Sequence, residues 1–463
     1  MNKLVNTYDR PAVLLLAIVL IAGMGTVIPA SFASAATDDD SGPVVSGYLS
    51  LRSVVRSAET DSQEVFRDQD LYGELRLDVT RVRSGRFEVH FLGTVRDDLD
   101  GKSDVSTFDP LEDIGNTHTS DVMAQVYEAH LDINDLFTGL TQVRLGRQDS
   151  TRDQQVFFDG AALDLRPARF LSFTLYGGAP VNFFEVDGKE GRDTVAGGGI
   201  DIAAGQSTGI SVDYLAIHDD RTYFDDRSLT DRLWSFKVWQ RFSRNVKATA
   251  KLRYQNGESR DLNVRLLGVL PEQGAEIGAT YIRQFHDQTE QTNALSPFYD
   301  VLGTSHPYQS IDVRMRKLFG ERYAVDLGYF QRELLKSAES GTFNREYARA
   351  SAGFQVNGFL FKQLSLLVTG ERWDSEEQGF SSAGADLTYA YGRSGKAGSL
   401  SFGTYYSLFK YDESLQEERD RVRTYYLKGR AALATQLSLT AAYELERSID
   451  RYQTAKLGVR YDF

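Results

Sequence analysis

The stretch Val246-Lys247-Ala248-Thr249-Ala250-Lys251-Leu252-Arg253-Tyr254 places apolar side chains at every even position and Lys, Thr, Lys and Arg at every odd one. Successive side chains of an extended strand point to opposite faces, so this stretch has one apolar and one charged face. The same alternation recurs in both directions from it. Leu71, Gly73, Leu75, Leu77 and Val79 alternate with Tyr72, Glu74, Arg76, Asp78 and Thr80, and Phe87, Val89 and Phe91 alternate with Glu88, His90 and Leu92. Ile311, Val313 and Met315 stand against Asp312, Arg314 and Arg316. The last residues, Ala455, Leu457, Val459, Tyr461 and Phe463, share one face of a strand that ends on Phe.

The connections alternate as well. Short ones with turn chemistry, such as Gly205-Gln206, Pro271-Glu272-Gln273-Gly274 and Gly320-Glu321, are separated by longer polar stretches at 57–68, 97–121, 179–194, 218–230, 287–307, 334–344 and 411–420. Short turns on one side and long loops on the other describe an antiparallel meander threaded across a membrane. A soluble sandwich or propeller would show the same period, with the apolar face as its core. Two features favour the membrane. Charges recur on nearly every polar face, while Tyr and Phe gather at strand ends, as in Tyr281 with Phe285 and Tyr389 with Tyr391. In lipid every backbone group needs an internal partner, and only closure removes the sheet's edges. The expected fold is therefore all-β: one transmembrane, antiparallel, up-and-down β-barrel of about 22 strands (20–24) spanning residues 44–463.

About 22 strands at ~4.8 Å spacing and ~40° tilt give a backbone diameter of roughly 40–45 Å. Barrels that wide are usually plugged. Here strand-like alternation begins at Gly47, which leaves no room for an N-terminal plug domain. The segment expected to fold inward and narrow the pore is 97–121, with Asp97, Asp98, Asp100, Asp104, Asp109, Glu112 and Asp113 against Lys102. A solvated external loop is the alternative. The polar faces give the expected lumen lining: Glu74, Arg76, Asp78, Glu88, His90, Glu128, His130, Lys247, Lys251, Arg253, Asp312, Arg314 and Arg316. Acids and bases are mixed among them, so charge selectivity stays open at this point.

Ahead of the barrel, Lys3 and Arg10 precede an apolar run from Pro11, and Ala33-Ser34-Ala35 has the form a signal peptidase reads. Residues 1–35 are expected to be a cleaved secretory signal and 36–43 a short leader, with an uncleaved anchor as the alternative. Composition closes other doors. The chain of 463 residues has no Cys, which removes disulfides, Cys-ligated metals and covalent c-type haem. Its net charge of −13 argues against nucleic acid as a partner. The expected address is the outer membrane of a Gram-negative bacterium.

Val143-Arg144-Leu145-Gly146-Arg147-Gln148, followed by Phe158-Asp159-Gly160-Ala161 and Leu175-Tyr176-Gly177-Gly178-Ala179-Pro180-Val181, resembles hairpins of bacterial outer-membrane porins, alginate-export-type barrels among them. Size, absence of cysteine and lack of a plug also resemble the porin-like subunit of porin–cytochrome conduits. That resemblance implies a barrel sheathing a multihaem cytochrome, with periplasmic and outer-surface cytochromes as partners in electron transfer. Outer-membrane lipid and the barrel-assembly machinery are further implied partners. The terminal strand, with Leu457, Val459, Tyr461 and Phe463, is similar to the signal that machinery reads.

The six histidines show no metal-ligand spacing along the chain, and no catalytic, cofactor or metal site is read from it. His90 beside Glu88 and His130 beside Glu128 are expected on neighbouring strands near the periplasmic end, either as a proton-sensitive or haem-proximal pair or in ordinary hydrogen bonds. His218-Asp219-Asp220 and His286-Asp287 are the candidates for a hydrolase reading, and no partnered nucleophile accompanies them. Gly197-Gly198-Gly199 fits a kink or close packing within a strand. The expectation is a non-enzymatic passive conduit, either the sheath of a cytochrome or a diffusion porin for small or anionic solutes.

Overall fold

A computed structural model describes residues 42–60, 64–82, 85–100, 111, 122–150, 152–181, 193–219, 229–287, 306–335, 346–375, 379–392, 397–407, 410–412, 417–419, 422–448 and 450–463. The strands in chain order begin with β1 (Val44–Glu59), β2 (Val65–Val82), β3 (Phe87–Asp98), β4 (Val122–Phe137), β5 (Leu140–Asp149) and β6 (Phe157–Ala168). Next come β7 (Leu171–Pro180), β8 (Thr194–Ala204), β9 (Thr208–Asp219), β10 (Leu229–Ser243), β11 (Val246–Gln255) and β12 (Glu258–Leu270). They continue with β13 (Ala275–Gln284), β14 (Tyr308–Phe319), β15 (Tyr323–Leu334), β16 (Tyr347–Asn357), β17 (Leu364–Ser375) and β18 (Gly379–Tyr391). The last are β19 (Gly398–Ser407), β20 (Lys410–Asp412), β21 (Glu417–Arg419), β22 (Val422–Ala432), β23 (Leu437–Arg447) and β24 (Arg451–Asp462).

Twenty-two of these form one sheet in which each strand pairs with its sequence neighbours. The small β20–β21 hairpin stands apart, in the connection between β19 and β22. Closure comes from β24 lying antiparallel to β1, from Tyr48 opposite Asp462 to Glu59 opposite Arg451. Gly47 and Phe463 exchange two backbone hydrogen bonds of 3.0 Å at the seam. Among the described residues the sheet has no free edge and the interior holds no separate plug.

The register carries the sequence alternation around the barrel. Leu51 faces Gly73 and Leu75 faces Gly93 on one surface, while Arg52 faces Tyr72 and Asp78 faces His90 on the other. The apolar surface is bare: Leu175, Phe402 and Leu457 are each more than half exposed. Apolar area is kept from water only by lipid here, so this is the membrane face. Ring contacts lie towards both rims. Tyr214, Trp234, Phe236 and Tyr254 form a row with centroids 4.6–6.3 Å apart towards the long-loop side. Phe361, Tyr389 and Tyr391 form another by the short turns, at 5.8 and 6.1 Å.

Two polar stretches turn out to be strands. Much of 57–68 belongs to β1 and β2, with Ser57 opposite Arg67 and Glu59 opposite Val65, and 411–420 includes parts of β20 and β21. These segments run beyond the apolar belt, so they need no apolar face. The alternation of short and long connections also has an exception: β11 and β12 are joined by Asn256-Gly257 on the long-loop side. Both residues have positive φ, the conformation of a two-residue type I′ hairpin turn. The expected signal, residues 1–35, and most of the leader lie outside the described residues.

Candidate functional site: the lumen

The inner wall has two unlike arcs. On β6–β10 the inward positions are Phe158, Tyr176, Val195, Leu215, Ile217 and Leu233, which pack with Val156 into one buried cluster. On this arc the inner wall is apolar, beside the polar lining read from the alternating strands. The reason is the β5–β6 connection, whose described residues, 150 and 152–156, fold against this arc. Backbone bonding between Ser150 and Val156 closes it at its base. Its Arg152 bonds Asp213 on β9 and Asp201 on β8, the latter at 2.6 Å, and its Asp153 accepts from Lys251 Nζ on β11 at 2.9 Å. An apolar patch on a barrel's inside is stable only when something covers it.

Glycine makes the room. A side chain at Gly197 would meet the Tyr176 ring, and one at Gly199 would meet the Arg152 guanidinium and the Asp213 carboxylate. Gly197 and Gly199 of β8 thus form a recess into which Tyr176 and Arg152 fit. Burial works against the charge of Asp153, but the hydrogen bond and charge of Lys251 outweigh it and hold its carboxyl below the usual range.

The segment that folds inward therefore includes 150–156, which composition alone did not single out. Of the expected constriction loop, Asp104, Asp109, Glu112 and Asp113 lie outside the described residues. Asp97 and Asp98 end β3 and are buried, Asp100 accepts a 2.8 Å bond from the Gln69 backbone N–H, and Leu111 is buried.

Among the described residues, no connection is bonded across the other arc, β13–β24. Between β12 and β17 the small residues Gly278, Gly328, Ser351 and Gly353 leave a hollow of about 510 Å³ flanked by Arg265, Arg314, Arg316 and Arg349. Four cations of this arc lean on a carboxylate of their own or an adjoining strand. Arg314 pairs with Asp312 at 2.7 Å, Arg316 with Asp326 at 3.5 Å, Arg349 with Glu371, and Lys428 with Glu444 at 2.8 Å. In every one of these pairs the cation is the more exposed partner, most strongly for Arg314 at 77% against 24% for Asp312.

The register puts the other sequence-predicted lining residues on the same polar face. Glu74, Arg76 and Asp78 follow one another on β2, and Arg76 bonds Asp78 at 2.9 Å. Glu88 and His90 on β3 adjoin Glu128 and His130 on β4, with His90 directly opposite His130. Lys247, Lys251 and Arg253 follow on β11, and Arg253 bonds Asp261 at 2.8 Å. The hydrolase candidates are dispersed: His218 bonds Thr230 Oγ1 at 2.9 Å, His286 lies 3.9 Å from Glu258, and Asp287 pairs with His306 at 2.8 Å.

The backbone is similar to that of the P pilus usher (PapC) translocation pore, with a TM-score of 0.51 over 90% of this chain and 99% of that one, at 10% identity. The chain shares the fold of an outer-membrane translocation pore, a closed antiparallel β-barrel. OccAB4 of Acinetobacter baumannii aligns over 90% of this chain and 98% of its own with a TM-score of 0.43 and 9% identity. A BenF-like porin from Pseudomonas fluorescens Pf-5 does so over 90% and 98% with a TM-score of 0.42 and 11% identity. No family model matches the sequence, and no curated protein does.

Proposed function

We propose that this porin-like channel is a passive diffusion route for small anionic solutes, with segment 150–156 narrowing one side of its bore. One observation carries the reading: along the open arc, Arg314, Arg316, Arg349 and Lys428 are each more exposed than the carboxylates that hold them. A solute meets the guanidinium or ammonium head first, while the carboxylate behind it fixes its position. Rows of cations in a pore favour anions. The test is the reversal potential of the purified barrel in planar bilayers under a salt gradient. Anion preference, stronger at low ionic strength, is expected. Cation preference would overturn the reading.

The breadth of a 22-strand barrel supports a second reading, in which the lumen sheaths a multihaem cytochrome. The chain has no Cys for c-type haem, so a Soret band travelling with the native complex would report a cytochrome partner. In both readings Leu457, Val459, Tyr461 and Phe463 form the strand offered to the assembly machinery, and the signal at 1–35 directs export.

A further inference from the structure

The lumenal face of β3 and β4 brings together groups that the sequence separates. His90 and His130 are register partners whose rings stack with centroids 4.9 Å apart. Asp132, two residues along from His130 on the same face, is buried beside them. Its Oδ2 is 3.8 Å from His90 Nε2 and its Oδ1 3.9 Å from His130 Nε2. Glu88 Oε2 lies 3.6 Å from His90 Nε2, from the next inward position of β3. The ligand atoms of His90, His130 and Asp132 all lie within 4.8 Å of one another.

The other ring nitrogens are already engaged. His90 Nδ1 is 2.7 Å from Asp78 Oδ1, and His130 Nδ1 is 3.3 Å from the Arg147 carbonyl oxygen. Both partners are acceptors, so each Nδ1 is the donor, and each Nε2 is the ring atom that faces Asp132. A carboxylate or backbone carbonyl behind the ring is the arrangement that orients metal-ligating histidines. Asp132 is held in place by Arg144, whose Nε and Nη2 bond it at 2.8 and 3.0 Å, and by Gln142 at 3.0 Å. A carboxylate has about four lone-pair sites, so it retains capacity for a cation. Gly146 gives the approach its closeness: its φ is +122°, and a Cβ there would collide with the Ala129 carbonyl beside His130.

We propose that His90, His130 and Asp132, with Glu88 as the fourth ligand, form a binding site for one divalent transition-metal ion, Zn²⁺ by preference. Tetrahedral Zn²⁺ with ligands at ~2.0–2.1 Å holds them ~3.4 Å apart. The separations of 3.6–3.9 Å that link Glu88, His90, Asp132 and His130 exceed that by a few tenths of an ångström, and metal binding would draw the four groups together. Two imidazoles and two carboxylates suit Zn²⁺ better than Ca²⁺ or Mg²⁺, which take oxygen ligands. Among the described residues, Asp78 pairs with Arg76 and Asp132 with Arg144, while Glu88 adds a further negative charge beside His90, which favours a cation. His90 is the fourth residue of β3 from the short-turn rim, so an ion reaches the site through that mouth. The site is independent of what the channel conducts.

The experiment is metal titration of the full exported chain, folded in detergent, freed of metal with EDTA and purified without a polyhistidine tag. Zn²⁺ binding is followed by calorimetry, and Co²⁺ replaces it for visible spectroscopy. The expected result is one saturable Zn²⁺ per chain and an intense, low-coordinate Co²⁺ spectrum. His90→Gln and His130→Gln should each weaken binding at least ~10-fold, Asp78→Asn by about 10–100-fold through His90 orientation, and His218→Gln not at all. Absence of saturable binding in the unmodified chain would overturn the proposal, as would unchanged affinity in the His90 and His130 variants. If those variants fail to fold, judged by heat-modifiable gel mobility, the Co²⁺ spectrum of the unmodified chain decides. A pale, six-coordinate, aquo-type spectrum overturns the site.

Discussion

Gly146 and Gly199 stand where two strands or a strand and a loop come closer than any side chain allows. At Gly146 the positive φ adds backbone strain, so Gly146→Ala is expected to cost about 1–3 kcal/mol in urea unfolding from lipid, with loss of the His130 geometry. Gly199 serves Arg152, and the docking of 150–156 depends on that guanidinium and on Asp153. Because the Asp153 carboxyl is held below its usual range, docking draws stability from it at neutral pH and keeps it well into mild acid. The stability goes only as the pH falls through the lowered value. Single-channel conductance should therefore stay level from neutrality to about pH 4 and step upward below it. Asp153→Asn should be released at every pH and lack the step. None of this was visible in sequence, because Arg152 finds Asp201 and Asp213 at separations of 49 and 61 residues and Asp153 finds Lys251 at 98. The triple glycine in an otherwise regular strand was the one available sign.

The strands themselves were written plainly in the chain. A side-chain period of two, with an apolar face that must meet lipid, fixes orientation strand by strand, since a one-residue slip would turn every charge outward. Where that constraint lapses, legibility lapses too. Ser57 to Asp68 looks like a loop because polar residues dominate it, although Ser57, Ala58 and Glu59 stay on the ladder opposite Arg67, Phe66 and Val65. Bulges near the short turns were equally hidden: Arg81 and Asp135 take positive φ without being glycine. The face rule makes a sharp comparison possible on β15 and β16. Leu327 points outward and is nearly half exposed to lipid, whereas Ser351 points into the lumen beside Glu371. Leu327→Arg should destabilise the folded barrel by about 2–4 kcal/mol, as charge at the bilayer midplane does. Ser351→Arg should cost less than about 1 kcal/mol, since its charge stays in water. Matched urea titrations in lipid vesicles measure both, and equal losses would mean that the inside and outside of this wall have been exchanged.

The chain as a whole is acidic, with a net charge of −13, yet its open lumenal arc presents cations. The two facts agree once exposure is counted instead of charge. Carboxylates outnumber bases overall, but along β14–β17 and β22–β23 they lie back on the wall and serve as anchors for the groups in front. Summed composition therefore carried no information about selectivity, and neither did the mixed polar faces. Which partner stands forward follows from side-chain length and from the small residues around the hollow, both of which act only after closure. Arg314 and Arg316 are the most exposed of the lumenal cations in these pairs, at 77% and 50%. Replacing both with Gln leaves Asp312 and Asp326 without their counter-charges and facing the passage. The expected outcome is a reversal potential that moves towards cation preference, by more at low salt than at a Debye length of about 3 Å in 1 M salt. Conductance should change little, because neither residue contacts the 150–156 segment. The converse pair, Asp312→Asn with Asp326→Asn, should deepen anion preference. If both double variants moved the potential in the same direction, the forward cations would be passengers on the wall, and the selectivity would have to come from a rim of the barrel instead.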